Sequence, residues 1–233
     1  MPKYKIADVV FEFEPKYAET AHWYKPYETT DPLTWEQPLS VSEGLLNYYV
    51  KEGTGITPAI AENMALCNAV NLRMLWFSGS YIHSSALLIG TKVYLFSGNS
   101  GVGKSTLTRR ICRLCPEAEI INDDKPTFRM VDGKCIVYGT PFAGGTDVQL
   151  NKCGELGGVF FLEQSENDSV EPLPAFLSIR ELLQQTPYRK TEKIAEKLLD
   201  MYSEIITRYP FYRMCCTNSD NAAVVALNII NKN

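Results

Sequence analysis

An α/β fold is what this amino-acid sequence predicts, and three observations predict it. The middle third of the chain alternates strand, loop, helix and strand, an order that argues against a helix bundle or a β-sandwich. A Gly-rich loop, Gly98 to Ser105, follows an apolar strand pattern and leads into a helical one. The chain has 233 residues, 45% hydrophobic and 21% charged, which is enough to bury a substantial core.

Composition also excludes several function classes. Lys plus Arg number 23 and Asp plus Glu 27, a net charge of −4, so a basic nucleic-acid-binding face is not expected. The longest apolar runs, such as Ala222–Leu227, fall far short of the ~18 residues of a spanning helix, so no membrane partner is expected. Asp8 and Glu12 interrupt the apolar stretch from Ile6 to Phe13, and Glu14 closes it, which is not a secretory leader pattern. Seven cysteines are scattered along the chain, and Cys112 and Cys115 form a C-x-x-C without a second Cys or His pair at zinc-ligand spacing. The expectation is reduced, packed thiols in a soluble, cytoplasmic protein.

The elements follow in chain order. Tyr4, Ile6, Val9 to Phe11 and Phe13 predict a single N-terminal strand within the first fourteen residues. From Tyr17 to Ser40 an aromatic stretch punctuated by Pro26, Pro32 and Pro38 predicts short strands and loops. Ile60, Met64, Cys67 and Val70 recur at helical spacing after Pro58, predicting a helix over Ala59–Leu72 that Ser78–Gly79 bring to an end. Ala86–Ile89 and Val93–Phe96 flank a Gly90–Thr91 turn and predict a hairpin. A helix from Lys104 to about Leu114 and strands over Glu119–Ile121, Thr127–Met130, Lys134–Tyr138 and Val159–Leu162 come next. Helices over Ser178–Gln185 and Lys190–Ile206, a strand over Tyr212–Cys216 and a helix over Asn221–Ile230 complete the chain. Residues 1–80 are expected as an extension of strands and a helix on the same domain, and residues 81–233 as the P-loop domain proper.

Gly98-Asn99-Ser100-Gly101-Val102-Gly103-Lys104-Ser105 matches the P-loop pattern G-x-x-x-x-G-K-[ST]. The glycines let consecutive backbone N–H groups turn inward around phosphate oxygens, and the following helix adds its positive dipole end. Lys104 can reach the outer phosphates, and the Ser105 hydroxyl can bind Mg²⁺. Chance produces the pattern in on the order of one chain in a hundred this size, taking Gly at ~7% of residues. The loop Gly98, Ser100, Gly101, Val102 and Gly103, with Lys104, Ser105 and Thr106, is therefore the candidate nucleotide-binding segment.

About twenty residues further on, Asp123 and Asp124 end an apolar strand, where a carboxylate can meet the metal of a bound nucleotide. Two adjacent carboxylates allow one to hold the metal while the other accepts a proton from an attacking hydroxyl. The glycine-rich stretch Gly139–Gly145 is expected to line the acceptor side. Arg109, Arg110 and Arg113 on the P-loop helix are expected as a solvated face.

In order, His83-Ser84-Ser85-Ala86, the hairpin, Gly98–Ser105 and Asp123-Asp124 resemble the catalytic domain shared by HPr kinase/phosphorylase and the ATP-dependent phosphoenolpyruvate carboxykinases. The wider pattern resembles bacterial HPr-kinase-like proteins often encoded with peptide-modification systems. The likeness covers most of residues 80–165, with His83 fifteen residues before the first loop glycine. It implies a mixed-sheet α/β fold of the carboxykinase type. It also implies Asp123 as general base, Asp124 and Ser105 at the metal, Lys104 on the phosphates, and His83 near the transferred group or its metal. Thr106 departs from the acidic residue of HPr kinase after the P-loop Ser. Gly139-Thr140-Pro141-Phe142-Ala143-Gly144-Gly145-Thr146 stands where HPr kinase carries its partner-binding segment. The resemblance therefore carries neither the phosphorylase activity nor the HPr partner.

The expected function is an ATP- and Mg²⁺-dependent phosphotransferase acting on a hydroxyl, in particular serine of a peptide, a protein or a small molecule. The alternatives are a catalytically decayed nucleotide-binding sensor or partner protein, and a small-molecule carboxykinase-like enzyme. A homo-oligomer is left open.

Overall fold

The Gly-rich loop lies at one end of a mixed sheet whose strands run, side by side, Gly79–Tyr81, Thr127–Val131, Lys134–Tyr138, Cys153–Gln164, Lys92–Ser97, Ser84–Ile89 and Glu119–Asn122, with Phe211–Cys216 and then Ser169–Pro172 attached through Cys153–Gln164. The computed structural model describes residues 1–144, 148–186 and 191–232. Among these, the sheet uses β3 (Gly79–Tyr81), β4 (Ser84–Ile89), β5 (Lys92–Ser97), β6 (Glu119–Asn122), β7 (Thr127–Val131), β8 (Lys134–Tyr138), β9 (Cys153–Gln164), β10 (Ser169–Pro172) and β11 (Phe211–Cys216). The long strand β9 organises it. One edge of β9 pairs with β5 in parallel from Glu155 to Phe161. Its other edge pairs first with β8, antiparallel, and from Val159 onward with β11, parallel.

Side-chain alternation along the central strands separates two cores. Val93 and Leu95 of β5, with Val159 and Phe161 of β9, face the helices α5 (Ala175–Gln184) and α6 (Glu192–Arg208), which contribute Leu182, Leu198, Met201, Tyr202 and Ile205. Tyr94 and Phe96, with Phe160 and Leu162, face α4 (Lys104–Leu114) and α7 (Asp220–Ile230) through Leu107, Ile111, Ala222, Ala223 and Ala226. The hairpin, the P-loop helix and β6 to β8 stand where the residue pattern predicts them. The predicted start of the α6 helix at Lys190 lies outside the described residues.

The N-terminal region departs from expectation. In place of one strand there is a hairpin, β1 (Lys3–Ile6) with β2 (Val9–Glu12), because Ala7 and Asp8 both take left-handed φ of 48° and 58°. Arg129 donates to the Ala7 carbonyl at 2.7 Å, and the Tyr138 hydroxyl donates to Asp8 Oδ2 at 2.7 Å, so the turn is braced by distant strands. The Tyr17–Ser40 stretch begins with α1 (Ala18–Tyr24) and a 3-10 turn (Lys25–Tyr27) in place of strands, and runs on as the expected loop. Glu62 accepts the N–H groups of Lys16 and Tyr17 at its start, at 2.8 and 3.3 Å. A further helix, α2 (Glu43–Glu52), is capped by Ser42, whose side chain accepts from the Leu45 N–H. With α3 (Pro58–Met74) these elements close an aromatic cluster of Tyr4, Phe11, Phe13, Tyr24 and Tyr27 that reaches Tyr138 and Phe142. Among the described residues no helix is long and apolar enough to cross a membrane.

Gly139 opens the loop after β8 at a point of close backbone approach. A Cβ there would stand 2.0 Å from the Leu150 carbonyl oxygen and 2.6 Å from that of Ile121. Gly139→Ala is expected to cost about 3 kcal/mol, because backbone rather than a flexible side chain must give way. A denaturant titration showing an unchanged midpoint would remove this account.

Candidate functional site

Sheet direction brings the sequence-predicted residues to one place. Strand β4 runs antiparallel to both of its neighbours, with Ser84 opposite Ser97 and Ala86 opposite Asn122. It therefore begins where β5 and β6 end. His83, the residue before β4, sits between the loop that follows β5 and the aspartates that follow β6. Ser97 Oγ donates to the His83 carbonyl at 2.8 Å, and the Ser84 N–H donates to the Asp124 carbonyl at 3.0 Å. Ser85 and Thr108 share a hydroxyl–hydroxyl hydrogen bond of 3.0 Å that ties β4 to α4.

The loop after β5 turns into α4 at Gly103, whose φ of +110° favours glycine. Lys104 is buried, and its Nζ donates to the carbonyls of Gly98 at 3.0 Å and Asn99 at 3.2 Å. Burial pulls the Lys104 pKa below its ordinary value, and Asp124 and then Asp123 oppose the shift. Ser105 is the second residue of α4, and Thr106 follows on the side of a neighbouring cavity.

The two aspartates are placed differently. The Asp123 side chain has 0% exposure; its Oδ2 stands 3.4 Å from Arg109, and its Oδ1 is buried without a hydrogen-bond partner among the described residues. Asp124 is 17% exposed and has both oxygens engaged, Oδ1 at 3.4 Å from His83 Nε2 and Oδ2 in an ion pair with Lys125. The His83 imidazole is pulled below its usual pKa, first by burial and then by Lys104, while Asp124 opposes the shift.

Three residues that sequence reasoning did not assign to the site complete it. Asn122 Oδ1 accepts the N–H groups of Asp124 and Lys125, at 3.0 and 2.7 Å, and its Nδ2 donates to Thr140. An Asn at a strand end just before a polar pair is the signature of such a side-chain turn and could have been read. Lys125 pairs with Asp124, and Arg109 with Asp123. The expected solvated face on α4 holds for Arg109 and Arg113, whose side chains are 55% and 65% exposed, and not for Arg110, at 18%. Arg109 points into the site, while Arg110 and Arg113 pair with Asp220 of α7 at 3.2 and 3.0 Å. Helical spacing marks these arginines as neighbours but gives no sign of the acids they meet.

The expected acceptor loop is held from beneath. Thr140 and Ala143 are buried, as is Phe142, which lies in the aromatic cluster, and Asn63 donates to the Pro141 carbonyl at 3.0 Å. Gly144 lies against Asp124, and Gly145 and Thr146 lie outside the described residues. On the opposite flank of the P-loop a cavity of about 410 Å³ opens between Gly101–Gly103, Leu107 and Arg110 on one side and Gln164, Thr217 and Asn218 on the other. It adjoins the carboxyl ends of the parallel strands β9 and β11, where ligands of α/β sheets commonly bind.

The donors present fit Mg²⁺. Among the described residues no three His, Cys, Asp or Glu side chains gather closely enough to hold a metal by themselves. The Ser105 hydroxyl and the Asp124 carboxylate are hard oxygen donors, the kind Mg²⁺ takes when it arrives on phosphates.

No protein-family model matches the chain, and no curated protein matches it in sequence. Among solved structures it is similar to the HPr(Ser) kinase/phosphatase from Coxiella burnetii, with 16% identity and a TM-score of 0.39. That likeness covers 66% of this chain and 97% of the other.

Proposed function

We infer that this chain is a Mg²⁺- and ATP-dependent phosphotransferase whose acceptor is a hydroxyl, serine of a peptide, a protein or a small molecule. One observation carries the reading: the P-loop, His83 and the Asp123–Asp124 pair meet at one end of the sheet, because β4 begins where β5 and β6 end. A P-loop alone serves switches and motors equally well. A carboxylate oxygen without a partner beside it adds a proton acceptor.

In the proposed step the acceptor hydroxyl oxygen attacks the γ-phosphorus. The bond from that phosphorus to the β–γ bridging oxygen breaks, ADP leaves, and the hydroxyl proton passes to Asp123. Asp123 suits this role through Oδ1; a carboxylate with both oxygens paired, like Asp124, is the weaker base. The guanidinium of Arg109, 55% exposed, pairs with Oδ2, so the acceptor reaches the enclosed Asp123 carboxylate by displacing it. Lys104 leaves the Gly98 and Asn99 carbonyls for the outer phosphates, and the α4 N-terminus faces them. Ser105 and Asp124 would hold Mg²⁺, which neutralises charge developing between the β- and γ-phosphates.

The nucleoside end lies in the 410 Å³ cavity, a volume in the range of small-molecule sites. Asn218→Trp should fill this cavity and lower ATP affinity at least tenfold while leaving inorganic tripolyphosphate affinity unchanged. Calorimetric titration of both ligands checks it, and equal ATP affinity in the variant would place the nucleoside elsewhere.

The reading is tested by incubating the protein with Mg²⁺, γ-labelled ATP, and free serine or serine peptides. Mg²⁺-dependent label transfer is the expected result. ATP binding without any turnover would favour the sensor reading, which the enclosure of Asp123 also favours.

A further inference from the structure

Lys125 has no part in the phosphoryl chemistry described above, yet its backbone is held firmly beside the site. Its N–H donates to Asn122 Oδ1 at 2.7 Å and to the Phe142 carbonyl at 3.2 Å, and its carbonyl accepts from Thr140 Oγ1 at 2.8 Å. With the backbone pinned at both ends, the half-buried side chain, 29% exposed, brings its ammonium onto Asp124 Oδ2. Asp124 is confined from two further sides. His83 Nε2 stands 3.4 Å from Oδ1, and a Cβ on Gly144 would lie 2.8 Å from Oδ2.

This arrangement poses a charge problem for a metal site. If Mg²⁺ is to bind Asp124, it meets a carboxylate already neutralised by a resident cation. Two like charges cannot share one carboxylate in a partly buried place without strong repulsion, so one must yield. The ammonium is on a flexible stem and the carboxylate is not, so the ammonium is the group that moves.

We propose that Lys125 is a positioning residue. Its ammonium holds the Asp124 carboxylate and gives way to Mg²⁺ when nucleotide arrives. The proposal rests on the phosphotransferase reading. A purely structural lysine would make metal binding weaker or leave it unchanged when removed. A resident competitor makes it tighter when removed.

The test is Mn²⁺ binding to the ADP-bound protein, read by electron paramagnetic resonance, for wild type, Lys125→Met and Lys125→Arg. Lys125→Gln replaces the Met variant if the latter fails to fold, as judged by thermal denaturation. The expected result is a Mn²⁺ dissociation constant lowered about tenfold in Lys125→Met and close to wild type in Lys125→Arg. In the Asp124→Asn background the Lys125→Met substitution should no longer tighten Mn²⁺. Unchanged or weaker Mn²⁺ binding in both uncharged variants overturns the proposal while the nucleotide reading stands. A wild-type protein that binds no ADP overturns both.

Discussion

Asp123→Asn is expected to lower phosphoryl transfer by ~10²–10⁴-fold, the usual worth of general-base catalysis, while Mg·ATP still binds. The substitution keeps the size of the side chain and removes its ability to take a proton. The structure adds a reason for the contrast with Asp124. Asp123 has one oxygen without a partner, whereas both oxygens of Asp124 meet basic groups, His83 and Lys125. Asp124→Asn should accordingly appear first as a raised Mg²⁺ requirement, with transfer recovering at high Mg²⁺. Transfer at the wild-type rate by Asp123→Asn would end the proposed mechanism. Equal losses of Mg²⁺ affinity in the two variants would end the division of labour between them.

Lys104→Ala should weaken ATP binding about 100-fold, which corresponds to ~2.7 kcal/mol, the upper part of the range for a hydrogen bond to a charged group. The ammonium is buried and donates to two loop carbonyls, so the variant also loses bonds that close the empty loop. The accompanying loss of stability should be small, about 1 kcal/mol, because the apolar contacts of α4 run through Leu107 and Ile111 and are untouched. Calorimetric titration with ATP beside a thermal melt separates the two effects. A folded variant with wild-type ATP affinity would remove the P-loop assignment.

Much of the site was legible because its parts are local. The P-loop is a continuous segment whose spacing follows from backbone geometry around a phosphate, and the strand before it and the helix after it carry clear periodicity. The Asp pair ends a short apolar strand for a similarly local reason. The partners of these residues were not legible. Arg109 stands fourteen residues from Asp123, and nothing in helical spacing says that a guanidinium on α4 will meet a carboxylate beyond β6. Lys125 reads as an ordinary polar residue before a proline until the Asn122 turn and the Thr140 contact fix its backbone.

The N-terminal region shows the same division. Helix α3 was legible from its apolar period and from Pro58 at its start, whereas α1 spans only seven residues of mixed propensity. Its first turn is satisfied by Glu62, and Tyr24 is enclosed by Tyr4, Phe13 and Phe142. The left-handed Ala7–Asp8 turn lacks the usual Asn-Gly chemistry and is held by Arg129 and Tyr138 from more than a hundred residues away. By itself the sequence determined the α/β class, the Gly-rich loop between β5 and α4 and the carboxylate pair that ends β6, since each depends on neighbours along the chain. Only the tertiary structure decided which carboxylate oxygen is left without a partner, which cation attends Asp124, and how the N-terminal turn and first helix form. Those outcomes depend on groups that meet only after the sheet has assembled, and the energies that fix them are contact energies between distant residues.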